Sequence, residues 1–499
     1  MAWKTVSLLP RTRALVLRIL ACLILMLLSA TAVFADGPRN KNSDKPDIEN
    51  LQPYLDGSGF IATYNVNGKI NTRSAFFQSL GTNGRTCATC HVTSQAFSFS
   101  AEDARARFLQ TRGRDPLFAP VDGANCPNAK PGDYVSRSLI LQNGVIRIGI
   151  PVPTNSPQFT VKAAHDPYGC AIDTSTGQPM LSFYRRPLPS TNLRFLSAVM
   201  FDGRESISAL NNASTFNSSL VTDLTSQALD ATTGHAQGLP PTAAQLADIV
   251  NFELGLSTAQ VWDFRAGMLS SGDARGGVLT LAGQGYYPGI NDSLTPSIFT
   301  PTIFTLYDSW LNAPGGNERS RARAEIAAGE KLFNSFPINI TSVRGLNDNA
   351  ALGTPAVITG TCGTCHDAPN VGDHSLPVPL DIGTGHAAAY ETDPQIKAAL
   401  AELSFPNLPI YKITGCTDPF TGASLIYTTD LGKGALTGQC GDLNRIKGPI
   451  LRGLAARAPY FHNGAAANLS EVVNFYNQRF NMGLTEQQKA QLVAFLKTL

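Results

Sequence analysis

One short pattern, Cys-x-x-Cys-His, occurs twice in a chain that has only nine Cys and seven His. The copies lie in "GRTCATCHVT" and "GTCGTCHDAP", and they supply Cys87, Cys90, His91, Cys362, Cys365 and His366. Covalent haem c attachment uses this spacing, because two thioethers hold the haem while the next residue, His, binds its iron. The duplication therefore predicts two covalently bound haem c groups, with His91 and His366 as proximal ligands.

Two other uses of paired cysteines remain as alternatives. A zinc site needs four ligands close in space. A redox-active Cys-x-x-Cys needs no His at the next position. Duplication of the whole pattern favours haem over both.

Residues 1–35 have the form of a secretory signal peptide. A basic start is followed by the apolar run Ile19–Leu28, and small residues at Val33 and Ala35 predict cleavage after Ala35. The alternative is a membrane anchor, but the run is shorter than the roughly 20 residues that a span needs. We expect a periplasmic or secreted protein with no stable membrane span after cleavage.

Export places the cysteines in an oxidising compartment, where disulfides persist. Besides the haem cysteines and Cys22 in the signal, the chain has Cys126, Cys170, Cys416 and Cys440. Of the three possible pairings we expect Cys126–Cys170 and Cys416–Cys440, since neighbours close the shorter loops. Free buried thiols are the alternative.

The formal charge of +2 changes when the signal is removed. The signal holds four basic and no acidic residues, which leaves a mature chain near −2. A near-neutral chain argues against nucleic acid or an anionic membrane as partner. The local basic cluster "ERSRARAE" (318–325) is interpreted as a solvated helix start, with partner docking as the alternative.

The mature chain is long enough for two or three domains. We expect an N-terminal cytochrome c-like domain over 36–300, with an inserted region at 115–189, and a C-terminal one over 301–499. In the insertion, "SRSLILQNGVIRIGIPVP" predicts a β-hairpin around its Asn-Gly pair.

Several helices are predicted from apolar spacing. They lie in "TAAQLADIVNFELGL" (242–256), in "SRARAEIAAGEKLFNS" and in "NLSEVVNFYNQRF". A last helix begins at "TEQQ", where Thr485 and Gln488 can form a capping box.

The segments 447–480 ("KGPILRGLAARAPYFHNGAAANLSEVVNFYNQRF") and 483–499 resemble the C-terminal signature of di-haem bacterial cytochrome c peroxidases and the related MauG enzymes. In the first half, "AVMFDGRESISAL" and "TSQALD" resemble that family's Asp-Gly-Arg and Gln-Ala segments. The resemblance covers most of the second module and islands of the first. It implies a mainly α fold of two c-type cytochrome-like domains, with long loops and here a small β-hairpin insertion.

The resemblance also implies a function. It is that of an exported di-haem oxidoreductase that reacts with hydrogen peroxide at the N-terminal haem and transfers electrons through the C-terminal haem. Its partner is then a small electron-donor protein (a cytochrome c or cupredoxin) or a protein substrate. The alternatives are a non-enzymatic di-haem electron carrier and a di-haem oxygenase acting on an organic substrate.

Some residues match ligand positions of the family. Asn192 and the backbone carbonyls of Arg457 and Pro459 match ligands of one calcium ion, which prefers such oxygens; ordinary loop residues are the alternative. His462 matches a His beside the second haem, as a propionate or hydrogen-bonding partner. Arg204 matches an Arg that neutralises propionate charge.

Two positions concern electron transfer and the second haem. The family usually has Trp before Asp-Gly-Arg, whereas this chain has Phe201, which is much harder to oxidise. Tyr476 is predicted to be the distal ligand of the C-terminal haem, because MauG enzymes have Tyr where the peroxidases have Met. A core Tyr and ligation by Met482 are the alternatives.

The last group of predicted residues lies on the distal side of the N-terminal haem. Since no His occurs between His91 and His165, the blocking ligand of many family members is absent and the site is expected to be open at rest. Gln227 matches the family's distal Gln, and Gln237 stands where a catalytic Glu is usual. Gln cannot exchange a proton as Glu does, so His235 is the predicted acid–base group; iron ligation and a structural loop role are its alternatives.

Overall fold

The chain is described by a computed structural model over residues 46–175, 177–208, 214–311 and 316–499. Helices α1 to α12 span Cys87–Cys90, Ala101–Thr111, Pro120–Gly123, Ser138–Asn143, Phe216–Gly234, Ala243–Gly255, Val278–Ala282, Glu318–Ser335, Pro394–Leu400, Gly434–Thr437, Leu469–Arg479 and Glu486–Leu496. Strands β1 to β12 span Pro53–Leu55, Gly59–Asn65, Ile146–Pro151, Thr160–His165, Ile172–Asp173, Met180–Arg185, Leu256–Asp263, Gly267–Met268, Ile338–Ile340, Ile358–Gly360, Ile410–Thr414 and Leu425–Thr428. The predicted signal peptide lies outside the described residues.

The strands form antiparallel sheets that join distant parts of the chain. The largest has the order β1-β2-β7-β8, and β2 pairs with β7 from Gly59↔Asp263 to Asn65↔Leu256. A second sheet, β12-β11-β4, pairs Thr160–His165 with Ile410–Thr414. The inserted region therefore contributes a strand to a sheet whose other members come from the C-terminal half.

The predicted hairpin around Asn143-Gly144 is wrong. Residues Ser138–Asn143 form α4, and Gly144 ends this helix with φ 58°. The strand that follows, β3, pairs with Met180–Arg185 and not with the preceding segment. An Asn-Gly pair suits a helix C-terminus as well as a hairpin turn, because Gly adopts a left-handed conformation at either place.

The predicted helices are present. Thr242 caps α6, and Asn317 caps α8. Thr485 and Gln488 form the expected capping box at the start of α12. A Cβ atom at Gly329 would lie 2.0 Å from the carbonyl oxygen of Gln491, so α8 and α12 pack with their backbones almost in contact.

From Asp47 to Leu499 the chain packs as one compact unit. The domain boundary near residue 300 stays a prediction, as does the classification as two cytochrome-like domains. The strand content exceeds the single hairpin that was expected. None of the described helices has both the length and the apolar character that a membrane crossing requires.

Both expected disulfides are present, Cys126–Cys170 and Cys416–Cys440, with sequence separations of 44 and 24 residues. The first ties the segment after α3 to the loop that follows β4. The second ties the end of β11 to the turn at Cys440–Asp442.

We expect the double variant Cys126→Ala/Cys170→Ala to lose about 2–4 kcal/mol in the free energy of unfolding, because the unfolded chain then regains the freedom of a long loop. Urea unfolding of the haem-loaded protein measures this. Wild type with its disulfides reduced is the control and should also lose stability. An unchanged urea midpoint in the variant would show that this bond does not contribute to stability.

Candidate functional site

Two cavities are built around the two Cys-x-x-Cys-His motifs. Cys87, Cys90 and His91 line the first, which holds about 1560 Å³ of space free of protein atoms, including solvent at its mouth. Cys362, Cys365 and His366 line the second, which holds about 1790 Å³ measured in the same way. Each motif therefore lines a separate cavity.

The same local turn presents each motif. In the first, the backbone N–H of Thr86 donates to Thr89 Oγ1 at 2.9 Å. In the second, the N–H of Thr361 donates to Thr364 Oγ1 at 3.0 Å. The Thr before the first Cys and the Thr before the second Cys thus form matching caps, which fix the spacing of the two thiols in both places.

Both motif histidines are oriented by a backbone carbonyl six residues further on. His91 Nδ1 lies 3.0 Å from the oxygen of Phe97, and His366 Nδ1 lies 2.8 Å from the oxygen of Gly372. A carbonyl only accepts, so Nδ1 carries the proton and Nε2 keeps a free lone pair. Burial lowers the pKa of His91 to about 4 and also lowers that of His366, which keeps both rings in the neutral form that binds metals.

The four motif cysteines are free thiols rather than disulfides. Burial raises the pKa of Cys90 to about 11 and the pKa values of Cys362 and Cys365 to about 12, so they are neutral thiols near pH 7. Among the described residues, no three His, Cys, Asp or Glu side chains gather as a zinc site requires. Paired neutral thiols beside a neutral His fit thioether attachment of a haem.

The two cavities share a wall that carries buried positive charge. Residues that line both are Arg186, Pro187, Leu188, Pro189, Phe201, Lys447, Pro449 and Arg457. Of these, the three cations have no acidic oxygen within 4 Å in the described part of the chain. Burial lowers the pKa of Arg186 to about 9 and that of Arg457 to about 10, and it lowers the pKa of Lys447.

A buried cation without an anion is strongly unfavourable. Negatively charged groups bound inside the cavities would therefore stabilise this wall. The propionate carboxylates of a haem in each cavity would supply this charge. The thiols, the oriented imidazoles and the charged wall therefore all fit two haem groups.

Arg204 and His462 each line one of the two cavities. Arg204 lines the first, but its guanidinium already pairs with Asp202 at 3.1 Å. His462 lines the second, and burial lowers its pKa to about 4. Neither ring nitrogen of His462 has a hydrogen-bond partner among the described residues, which leaves it available to a group in the cavity. Phe201 packs against it, with ring centroids 6.1 Å apart.

On another wall of the first cavity lie Gln227 and His235. His235 Nδ1 is hydrogen-bonded to the carboxylate of Asp122, which is also paired with Arg85. Although burial alone would raise it, Arg85 and His235 hold the pKa of Asp122 below its usual value. An ionised Asp122 fixes the proton of His235 on Nδ1 and leaves Nε2 free.

Gln237, by contrast, does not line the cavity. It is exposed, has a left-handed backbone with φ 52°, and its Oε1 accepts from Asn83 Nδ2 at 3.3 Å. The structure therefore brings Gln227 and His235 to the cavity and leaves Gln237 at the surface.

Sequence reasoning missed three residues of the first cavity. Arg85 and Asp122 both contact His235, although each lies more than a hundred residues before it in the sequence. No spacing pattern predicts such contacts. Glu253 looked like part of the helix pattern of α6, yet it lines the cavity, and burial raises its pKa to about 8. Its Oε2 has no hydrogen-bond partner in the described chain.

The second cavity contains both candidate distal ligands, Tyr476 and Met482. Tyr476 lies among Phe461, Phe475 and Phe480, and its hydroxyl has no hydrogen-bond partner among the described residues. Burial raises the pKa of this hydroxyl. Because Tyr476 lines the second cavity, a group bound there can contact it.

We expect Tyr476→Phe to change the low-spin absorption spectrum of one haem, because the variant removes only the hydroxyl oxygen that is predicted to bind the iron. Met482→Leu is the matched control from the same cavity and should leave the spectrum unchanged. The opposite pattern would assign the ligand to Met482, and an unchanged spectrum in both variants would reject both assignments.

Calcium binding by Asn192, Arg457 and Pro459 stays a prediction. The amide of Asn192 donates to and accepts from the backbone of Thr258, both at 2.9 Å, and its oxygen keeps a second lone pair. The carbonyl of Arg457 accepts from the guanidinium of Arg186 at 3.2 Å. Asn192 lines the first cavity, Pro459 lines the second, and Arg457 lines both.

Known cytochrome c peroxidases are similar to parts of this chain. A cytochrome-c peroxidase (IdrP2) of Denitromonas iodatirespirans is 31% identical over 147 residues, 28% of this chain and 36% of the relative. IdrP2 of Pseudomonas sp. (strain SCT) is 28% identical over 197 residues, 34% of this chain and 49% of the relative. Cytochrome c551 peroxidase of Nitrosomonas europaea is 38% identical over 69 residues, 14% of this chain and 21% of the relative.

These relatives are all cytochrome c peroxidases. The similarity supports a cytochrome c peroxidase-like family, and it extends over at most about half the length of these relatives. No protein-family model matches the chain.

Proposed function

We propose that this protein is an exported di-haem c-type oxidoreductase of the cytochrome c peroxidase/MauG type, which reacts with hydrogen peroxide at the haem of the first cavity. The observation that carries the proposal is the repeated cavity. Each copy has two free thiols and a neutral His whose Nδ1 is anchored to a carbonyl, and the two copies share a positively charged wall.

Reduction of hydrogen peroxide to two waters consumes two electrons and two protons. A bound haem iron supplies the redox chemistry at the O–O bond. The chain must hold peroxide next to the iron and move a proton between its two oxygens. We assign this role to His235, and the assignment is supported by its position at the first cavity and by the contact of its Nδ1 with Asp122, which leaves Nε2 free.

The second cavity is proposed to pass electrons. It is lined largely by apolar and aromatic side chains, and Tyr476 and Met482 are candidate iron ligands in it. Ligation by Tyr476 would favour ferric iron and lower its potential, the MauG-type arrangement, which suits oxidation of another molecule. Electrons are proposed to come from a small redox protein such as a cytochrome c or cupredoxin, or from a protein substrate. The two disulfides agree with export to an oxidising compartment.

A di-haem electron carrier is the second candidate. The observation that favours it is His235 itself, because an imidazole at the first cavity with a free Nε2 is also suited to bind iron. In that case both haem groups would be six-coordinate and closed to peroxide.

Absorption and EPR spectra of the resting ferric protein, before and after peroxide, separate these candidates. We expect one high-spin haem, and we expect its signal to change within the mixing time when peroxide is added. Two low-spin haem groups that do not respond to peroxide would overturn the proposal and favour the electron carrier.

A further inference from the structure

Arg185, at the end of β6, holds two buried carboxylates. Its Nε and Nη2 donate to Asp430 at 2.6 and 2.8 Å, and its Nη1 donates to Asp202 at 2.5 Å. Although burial alone would raise them, Arg185 holds the pKa values of both carboxyl groups below their usual range, so all three groups are charged. The guanidinium thus joins the segment after β12 to the segment that carries Phe201.

The contacts of these two carboxylates lead back to one aromatic ring, that of Phe201. Asp202 is the next residue in the chain. Asp430 Oδ2 lies 3.7 Å from Nε2 of His462, whose ring packs edge-to-face against Phe201 with centroids 6.1 Å apart. The contacts therefore form a closed circuit, which runs through Phe201, Asp202, Arg185, Asp430 and His462.

This circuit lies where the two cavities meet. Phe201 lines both cavities, whereas Arg185 lines the first and His462 lines the second. The backbone carbonyl of Phe201 also accepts from the N–H of Lys447, another residue of the shared wall, at 2.7 Å. The Phe201 ring is thus held through its own backbone, through the residue that follows it and through the imidazole that packs on it.

The carboxylates of the circuit are matched by guanidinium groups at hydrogen-bond distance. Besides Arg185, Arg204 lies 3.1 Å from Asp202. The pairing of Arg185 with Asp430 is bidentate, and such a fork fixes the direction of both side chains as well as their separation. The geometry therefore favours a role in positioning over a role as a source of net charge.

We propose that Arg185 is a positioning residue that holds the Phe201 ring at the contact between the two cavities and thereby sets the rate of electron exchange between them. The inference rests on the proposed di-haem function. The exchange moves one electron from a ferrous to a ferric haem and needs no further reactant. Electron tunnelling slows steeply when the gap widens or loses packed atoms, and a ring held in place keeps the gap filled.

The exchange can be measured in the haem-loaded protein without peroxide. Pulse radiolysis delivers at most one electron per molecule, and absorption follows its redistribution between the two haem groups. Arg185→Lys keeps the positive charge but loses the bidentate fork. We expect it to slow the exchange by about tenfold, because a displacement near 1 Å costs a position-dependent reaction up to about 100-fold. Both midpoint potentials should stay unchanged.

Arg147→Lys is the matched control. Arg147 is buried on the neighbouring strand β3 and paired with Asp173 at 3.2 Å, but it is not among the lining residues of either described cavity. This variant should lower the melting temperature and keep the wild-type exchange rate. Phe201→Ala should slow the exchange, and the double variant with Arg185→Lys should be no slower than the slower single variant, because both changes act on one contact.

Equal exchange rates in wild type and Arg185→Lys would overturn the inference, and so would an equal slowing in Arg147→Lys. A shift of the midpoint potentials in Arg185→Lys would replace positioning by a charge effect. Should Arg185→Lys fail to fold, an unchanged rate in Phe201→Ala would still overturn the inference. Failure of the proposed function has a different sign, a resting spectrum that does not respond to peroxide, and it leaves the exchange measurement intact.

Discussion

Replacing His235 by Ala should slow the reaction of the resting protein with hydrogen peroxide by about 10²–10⁴-fold, the range that a positioned acid–base group contributes. The reason is geometric. Asp122 holds the His235 ring by Nδ1 at the edge of the first cavity, and in the described chain no other imidazole except the motif His91 lines that cavity. Without this ring the cavity loses its proposed proton carrier, and Glu253, whose pKa burial raises to about 8, is the alternative group in the same cavity.

Stopped-flow absorption at several peroxide concentrations measures the effect. Gln237→Ala is the matched control, since Gln237 lies two residues away but is exposed and outside the cavity. Asp122→Asn keeps the imidazole but not its carboxylate, and it should give an intermediate loss. An unchanged rate in His235→Ala would remove the acid–base role. A low-spin haem that becomes high-spin in this variant would show that His235 is an iron ligand.

The double variant Cys87→Ser/Cys90→Ser should lose one haem from its denatured mass, whereas the wild type should carry two. A serine hydroxyl does not add to a haem vinyl group, so the first cavity would lack its covalent attachment. Reaction with peroxide should be abolished, while the spectrum of the second haem should persist.

The pair Cys362→Ser/Cys365→Ser gives the reciprocal loss, and Cys126→Ala/Cys170→Ala should keep both haem groups. These comparisons separate attachment from general folding damage. A wild-type mass that corresponds to fewer than two covalent haem groups would disprove the di-haem assignment, whatever the variants do.

Features determined by short spacings could be predicted from the sequence. The motifs, the capping box at Thr485, the amphipathic helices and the pairing of neighbouring cysteines all depend on residues within a few dozen positions of each other. The same local reasoning failed at Asn143-Gly144, because one dipeptide suits both a turn and a helix end, and only the distant partner strand β6 decides between them.

The rest of the site depends on contacts between distant segments. Asp122 meets His235 across 113 residues, and Arg186 reaches the Arg457 carbonyl across 271. Such contacts leave no periodic pattern of residues in the sequence from which they could be predicted. The hydrogen bonds between the Asn192 amide and the backbone of Thr258 could not be predicted for the same reason, because Thr258 lies on a strand that the sequence had assigned to no sheet.

The pairing of β4 with β11 limits how the two halves of the molecule can move. Strand β4 belongs to the inserted region and β11 to the C-terminal half, and their register runs from Thr160↔Thr414 to His165↔Ile410. A hinge opening between the halves would have to break this backbone ladder and leave unpaired strand edges in water, where they invite aggregation. Conformational change between redox states should therefore be confined to loops. A chain cut near residue 300 should yield insoluble halves rather than two independent cytochromes.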